Sequence, residues 1–164
     1  MPVSATIKVE GVKEAIKELG RISPELRKQF NRDAQGIMAP VISDAKSRYP
    51  QLPLSGMARA WRDGSGRVIT PWDINKVRRG LRLKIDTSKK NLNVIYLQQN
   101  DRAGAAFESA GRRSQDAFAR ALGPLKNFDT RVMGPVLSRR ANSVEDGIGR
   151  IVRDVMRRTG RRIG

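Results

Sequence analysis

The 164-residue sequence contains neither cysteine nor histidine. The first absence excludes disulfide bonds and thiolate metal sites. The second removes the commonest general base, the commonest metal ligand and the usual catalytic triads. Carboxylates do not replace them, because no paired motif such as D-x-D occurs, and we interpret the loop aspartates as ion-pair partners of nearby Arg or Lys: Asp63, Asp73, Asp86 and Asp101. We therefore expect a protein that is not an enzyme and that acts by binding or by assembly.

Long apolar runs and recognisable ligand motifs are missing as well. No stretch approaches the roughly 18 apolar residues that span a bilayer. The first residues, Met1–Thr6, have neither the basic region nor the apolar region of a signal peptide. No phosphate-binding glycine motif and no helix-turn-helix, zinc or single-strand RNA signature is present. We expect no cofactor, no metal and no membrane partner, and a protein made and used in the cytoplasm or in something assembled there.

Acidic residues are scarce relative to basic ones. The chain has 33 Lys and Arg against 16 Asp and Glu, a formal net charge of +17, and 23 of the basic residues are arginine. Such an excess favours encounter with polyanions or with an oppositely charged protein. Arginine suits bidentate pairing with phosphate or carboxylate, although the codon usage of a GC-rich genome would produce the same bias.

Hydrophobic periodicity in the N-terminal third predicts one strand and two helices. Residues Thr6–Glu10 alternate like a half-buried strand, and Val12–Leu19 have the spacing of a short helix closed by Gly20. A serine N-cap and a first-position proline then begin a long helix over Pro24–Ser47. Pro40 lies inside this helix and should kink it.

The rest of the chain predicts a small sheet followed by helices. Gly66–Pro71 is a short strand, and Leu81–Gln98 has the pattern of a β-hairpin. A short apolar stripe over Val132–Leu137 is interrupted by proline, and a last helix begins at Ser143, whose spacing to an acid three residues on is that of a capping box. We predict a single α+β domain over residues 1–164, with the long N-terminal helix packed on a small antiparallel sheet and with C-terminal helices.

Two segments are candidates for binding. Residues 55–66 are rich in Gly, Arg and Ser and predict a flexible loop; its Trp61, between Arg59 and Arg62, has the pattern of a base-stacking site, or else of a core anchor or interface residue. The C-terminal stretch forms a polyanion-binding helix with a basic tail at 158–164, or else a solvated helix face with a frayed end. Its candidate DNA-facing or acidic-partner-facing residues are Arg150, Arg153, Arg157, Arg158, Arg161 and Arg162.

Four segments carry a resemblance to a known family. They are Ile7–Leu19 (I-K-V-E-G-V-K-E-A-I-K-E-L), Ile42–Pro50 (I-S-D-A-K-S-R-Y-P), Ala106–Gly111 (A-F-E-S-A-G) and Arg131–Val136 (R-V-M-G-P-V). With the helices and the hairpin between them, the chain resembles the small minor tail components of long-tailed bacteriophages. These are the tail-completion or head–tail joining proteins of the virion neck.

The resemblance implies a structural virion protein without catalytic residues. It would form a ring, a hexamer in such proteins, that joins the head connector to the tail tube around the DNA path. Its partners would be further copies of itself, the connector or stopper, the tail terminator or tail tube, and genomic DNA contacted without sequence preference. It would be assembled in the host cytoplasm. The competing hypothesis is a free, basic nucleic-acid-binding protein, an architectural or packaging factor, supported mainly by the charge.

A ring protomer needs two different surfaces that close by rotation. Irregular segments and sheet edges make such contacts readily, so the segment 55–66 and the predicted hairpin are the candidates. Within the segment we predict four subunit-interface residues: Met57, Arg59, Trp61 and Arg62.

Overall fold

The computed structural model describes residues 3–9, 11–63, 65–86, 94–113, 115–126 and 129–158. Five strands and six α-helices follow one another in these ranges, with a 3₁₀ helix at Ser55–Ala58. In chain order they are β1 (Val3–Lys8), α1 (Val12–Ile22), α2 (Pro24–Arg48), β2 (Trp61–Arg62), β3 (Val68–Ile69), α3 (Ile74–Gly80), β4 (Leu81–Asp86), β5 (Val94–Gln99), α4 (Arg102–Ser109), α5 (Ala117–Leu122) and α6 (Met133–Arg158). The predicted α+β class is confirmed.

The main sheet has three antiparallel strands in the order β1-β5-β4, so β5 is central and β1 and β4 are edges. Leu97 of β5 pairs with Ala5 on one side and with Leu83 on the other, which forms an apolar row across the sheet. The next row, of Ser4, Gln98 and Arg82, points to the opposite face because side chains alternate along a strand. One face of the sheet is therefore apolar and the other polar.

The two long helices form the second layer. α2 contacts β4, α6 contacts β1, and the two helices pack on each other with α1 against both. α2 buries a stripe at steps of three and four that includes Phe30, Met38 and Val41, and α6 buries Leu137 and Ile148 in the same way. The core lies between these helices and the apolar face of the sheet.

The local patterns located the N-terminal helices and the hairpin well. α2 runs from Pro24 to Arg48, and Ser23 caps it by accepting a hydrogen bond from the backbone N–H of Glu25 at 3.2 Å. The helix continues through Pro40. Strands β4 and β5 confirm the hairpin. The boundaries shift by a few residues elsewhere: β1 begins at Val3, and α1 passes Gly20 to end at Ile22.

Two predictions for the C-terminal half are wrong. α6 is one helix of 26 residues, not two pieces, and Ser143 is an exposed residue of its interior instead of a cap. Pro135 is compatible with this because it lies in the first turn, where a backbone N–H would have no intrahelical partner. The helix stays continuous because its apolar stripe, including Leu137 and Val144 on either side of the predicted break, is buried throughout.

The described loop aspartates accept hydrogen bonds from backbone N–H groups, which differs from the ion pairs that we predicted for them. Asp73 caps α3 by accepting from the N–H groups of Asn75 and Lys76, and Asp101 caps α4 in the same way. Asp63 accepts hydrogen bonds from the N–H groups of Ser65 and Arg67, which closes the turn between β2 and β3. The hydroxyl of Ser65 also donates to Asp63, and this hydrogen bond is the main cause of the lowered pKa of Asp63. Short acidic side chains bond nearby N–H groups more readily than distant cations. The interpretation of Asp73 and Asp101 as ion-pair partners is therefore wrong, whereas the charge of Arg67 does act on Asp63 and helps to lower its pKa.

The close approach of α2 and α6 depends on Gly147. A Cβ atom there would lie 2.9 Å from Cγ2 of Ile37. Replacing Gly147 by alanine should therefore cost about 1–3 kcal/mol of overpacking, which cancels or exceeds the gain of about 1 kcal/mol in helix propensity.

Gly36 of α2 provides a matched control, because a Cβ atom there would meet nothing within 4 Å. Gly36→Ala should raise the free energy of unfolding by about 0.5–1 kcal/mol, whereas Gly147→Ala should lower it or leave it unchanged. Urea denaturation of both variants measures the difference. Equal stabilisation by the two substitutions would contradict the packing at Gly147.

Candidate interaction surfaces and the joint that positions them

A fully buried carboxylate, that of Glu108, joins three parts of the chain. Its Oε1 accepts hydrogen bonds from the Tyr49 hydroxyl at 2.7 Å and from the backbone N–H of Met133 at 3.2 Å. Its Oε2 accepts from the backbone N–H groups of Arg131 at 2.7 Å and Val132 at 3.0 Å. The end of α2, the last turn of α4 and the start of α6 are thereby held together. We call this arrangement, with the Arg131 side chain, the Glu108 joint.

The same carboxylate completes the N-terminus of α6. The first N–H groups of a helix have no partner within the helix and need one from outside. Here Val132 and Met133 donate to Glu108, and Gly134 donates to Oγ1 of Thr130 at 2.6 Å. The next residue is proline, which has no N–H. The positive end of the helix dipole also favours a negative charge at this position.

The Arg131 side chain holds two other helix ends. Its Nε donates to the carbonyl of Phe107 at 2.9 Å and its Nη2 to that of Ala110 at 2.7 Å, at the end of α4. Its Nη1 donates to the carbonyls of Leu122 at 3.0 Å and Gly123 at 2.6 Å, at the end of α5. Burial lowers the pKa of Arg131, and the nearby Glu108 charge opposes that shift. A cation is favourable at helix C-termini, so one residue fixes α4 and α5 relative to α6.

A buried amide and aromatic rings complete the joint. Gln99 donates from Nε2 to the Tyr49 hydroxyl at 3.2 Å and to the Val77 carbonyl at 3.0 Å. The Phe107 ring lies 6.2 Å from the Tyr49 ring and 5.4 Å from that of Trp72. Burial raises the pKa of Tyr49 well above its usual range, and the adjacent Glu108 charge raises it further.

An exposed row of arginines runs along α6, away from the core. Arg139, Arg150, Arg153 and Arg157 recur at steps of 11, 3 and 4, which places them on one side of the helix over about 27 Å. We call them the arginine stripe. Arg157 pairs with Asp154 at 2.8 Å, with both side chains exposed, whereas no described residue accepts a hydrogen bond from the side chain of Arg139 or Arg153.

The structure thus brings together three of the predicted polyanion-facing residues: Arg150, Arg153 and Arg157. Arg158 is also exposed but lies on the side of the helix nearer α2, in line with Arg140, which pairs with Asp44 at 3.3 Å. Arg161 and Arg162, with most of the basic tail 158–164, lie outside the described residues.

The segment 55–66 differs from the predicted interface. Met57 is only 1% exposed and its carbonyl accepts a hydrogen bond from the N–H of Trp72 at 2.8 Å. Met57 is therefore a core residue and offers no surface to a neighbour. Arg59 and Arg62 are exposed, and the half-buried Trp61 packs on Phe118 with the ring centres 6.1 Å apart.

Sequence reasoning missed the Glu108 joint, although a signal for it exists. Glu108 follows an almost uninterrupted run of small and apolar residues in α4, Ala103–Phe107. An acid at the end of such a run is a candidate for burial, because the residues around it face the core. Its partners could not be identified in this way, since Tyr49 and Arg131 lie 59 and 23 residues away along the chain.

Within the described ranges, no helix is both long enough and apolar enough to cross a membrane. The same ranges contain no group of three acidic side chains placed to hold a metal ion. No protein-family model, no curated protein and no solved structure matches the chain.

Glu108→Gln should lower the free energy of unfolding by about 2–4 kcal/mol, because an amide presents N–H groups where the joint needs an acceptor and leaves buried donors unpaired. The control is Glu145→Gln, an exposed position of α6, which should change stability by less than about 0.5 kcal/mol. Urea denaturation measures both. A small effect at Glu108 would show that the joint does not hold α6.

The raised pKa of Tyr49 predicts a loss of stability in alkali. Above pH about 10 the unfolded chain releases this phenolic proton while the folded protein keeps it, so unfolding is favoured by up to about 1.4 kcal/mol per pH unit. Below that pH the contribution is fully present. Tyr49→Phe should show a shallower decline than the unmodified protein in urea denaturation from pH about 9 to about 11.5. Parallel declines would contradict a buried, neutral Tyr49.

Proposed function

We propose that this protein is a structural component of a tailed-phage virion, which forms a ring that joins the head connector to the tail tube around the DNA path. One observation carries the proposal. Three of the four segments that resemble the phage neck proteins supply the Glu108 joint: Tyr49 comes from Ile42–Pro50, Glu108 from Ala106–Gly111, and its N–H donors from Arg131–Val136. Segments far apart in the chain thus share one structural role, which supports a resemblance of whole folds.

The surface is compatible with such a role. A ring subunit must keep its conformation when its neighbours bind. The Glu108 joint holds the helices of the helical layer in fixed positions relative to one another. The arginine stripe and the exposed Arg59 and Arg62 then remain available for acidic neighbours or for DNA phosphates in the channel. The partners would be further copies of the chain, six in a ring, with connector or stopper and tail terminator or tail tube proteins. The location would be the virion neck after assembly in the host cytoplasm.

A second candidate is a free nucleic-acid-binding protein. The observation that favours it is the arginine stripe, in which Arg139 and Arg153 have no partner within the described residues. A stripe of about 27 Å could follow a phosphate backbone without reading its sequence.

Mass and DNA affinity distinguish the two candidates. A neck protein should be monomeric or weakly associated alone by light scattering, and should form a closed ring when co-expressed with the products of the neighbouring genes. Its affinity for duplex DNA should be poor at physiological salt. A true DNA binder that uses the four arginines of the stripe should instead bind as a monomer and lose roughly a hundredfold or more in affinity between about 50 and about 200 mM salt.

Charge reversal tests the stripe within the same experiment. If the second candidate is correct, Arg150→Glu with Arg153→Glu should abolish duplex binding, whereas Lys17→Glu with Arg32→Glu, the same charge change on α1 and α2, should weaken it much less. Tight, salt-sensitive binding by a monomer would overturn the neck proposal.

A further inference from the structure

We propose that the free edge of β4 receives an extended, acidic segment of another protein, which adds to the sheet as a fourth strand. The inference goes beyond the proposed function and does not depend on it, because it rests on the sheet and on a groove beside it. Its three grounds are the unpaired backbone of β4, the shape of the groove, and the charges on both of its sides.

Only one side of the β4 backbone is paired with another described strand. Leu81–Asp86 pair with β5 alone, from Leu81 opposite Gln99 to Asp86 opposite Val94. In an antiparallel strand, alternate residues direct their N–H and C=O groups to opposite sides. Every second residue of β4 therefore presents backbone groups that no described strand pairs. Unpaired edges of this kind are where extended segments of other proteins bind.

A groove runs between this edge and α2. Its volume is about 270 Å³, it opens to solvent, and its wall on α2 consists of Arg27, Asn31 and Gln35. The wall on β4 consists of Leu83, Lys84 and Ile85, of which the two apolar side chains are only partly buried. A strand placed at the usual spacing of about 4.8 Å from β4 would enter this groove. Its side chains on that face would cover Leu83 and Ile85, so they should be apolar.

The opposite face of the incoming strand would meet cations. Arg82 and Lys84 are exposed on the open face of the sheet, and their cross-strand neighbours there, Gln98 and Tyr96, are uncharged. No described acidic side chain pairs with Arg27, Arg82 or Lys84. Opposite charges placed directly across a strand pair are favourable and like charges are not. The occupant should therefore alternate acidic and apolar residues.

The same charges argue against a second copy of this chain as the occupant. Two β4 edges brought together would place Arg82 and Lys84 of one copy near those of the other, and the whole chain carries +17. Basic side chains on an edge strand are a known means of preventing self-association through that edge. They leave the edge open to an acidic strand from a different protein.

The test uses the full-length chain and a capped synthetic peptide that alternates glutamate and valine, with a lysine-for-glutamate peptide as the control. Fluorescence anisotropy should show binding of the acidic peptide and affinity weaker by roughly tenfold or more for the basic one. Amide hydrogen exchange should slow within Leu81–Asp86 when the acidic peptide binds. Absence of binding, or binding without protection of these amides, overturns the proposal.

Two double variants with the same change in charge separate the site from general electrostatics. Arg82→Glu with Lys84→Glu should weaken binding of the acidic peptide by roughly tenfold or more. The same change in charge at Lys17→Glu with Arg120→Glu, on α1 and α5, should keep the affinity within about threefold. All four side chains are exposed, so both variants should fold, which circular dichroism checks. Equal losses in the two variants would show that the peptide responds only to net charge, and would also overturn the proposal.

Discussion

The helical layer depends on one buried negative charge. A carboxylate removed from water costs several kcal/mol unless it is fully hydrogen-bonded. Glu108 meets that requirement with donors from Tyr49, Arg131, Val132 and Met133, which belong to the end of α2 and the start of α6. Moving either element would leave the charge and its donors unpaired. The requirement to satisfy one side chain therefore sets the position of the long C-terminal helix.

Arg131 extends this constraint to the rest of the C-terminal half. Its backbone N–H belongs to the Glu108 joint, while its guanidinium bonds the carbonyls at the ends of α4 and α5. Charge is thereby divided between two roles. A few charged residues in the interior organise the fold. The larger number of exposed charged residues, which include the arginine stripe, can contact partner molecules. Helical geometry fixes the spacing of the arginines in the stripe, and the anchored first turn of α6 fixes the position of that helix in the fold.

The sheet offers a second kind of surface. Helices cover its apolar face, its polar face carries Arg82 and Lys84, and its β4 edge borders a groove. The stripe presents charge without backbone hydrogen bonds and suits any polyanion. The β4 edge presents both charged side chains and unpaired backbone groups, and it therefore favours an extended chain. Two such surfaces are what the proposed place between different neighbours in an assembly would require.

The sequence by itself determined the elements whose signals are local. The Ser23 cap, the first-position proline and the apolar stripe locate α2, and alternation locates the β4–β5 hairpin, because each pattern is complete within a few turns or one strand pair. The tertiary structure decided what depends on distant partners. Ser143 has the local pattern of a cap, yet α6 runs through it because burial against α2 favours a continuous helix. Met57 is likewise buried in the fold and cannot belong to the predicted interface. Glu108 comes into contact with Tyr49 and Arg131 only in the folded chain. No local pattern specifies which distant segments meet, and the core, the joint and the groove all depend on that.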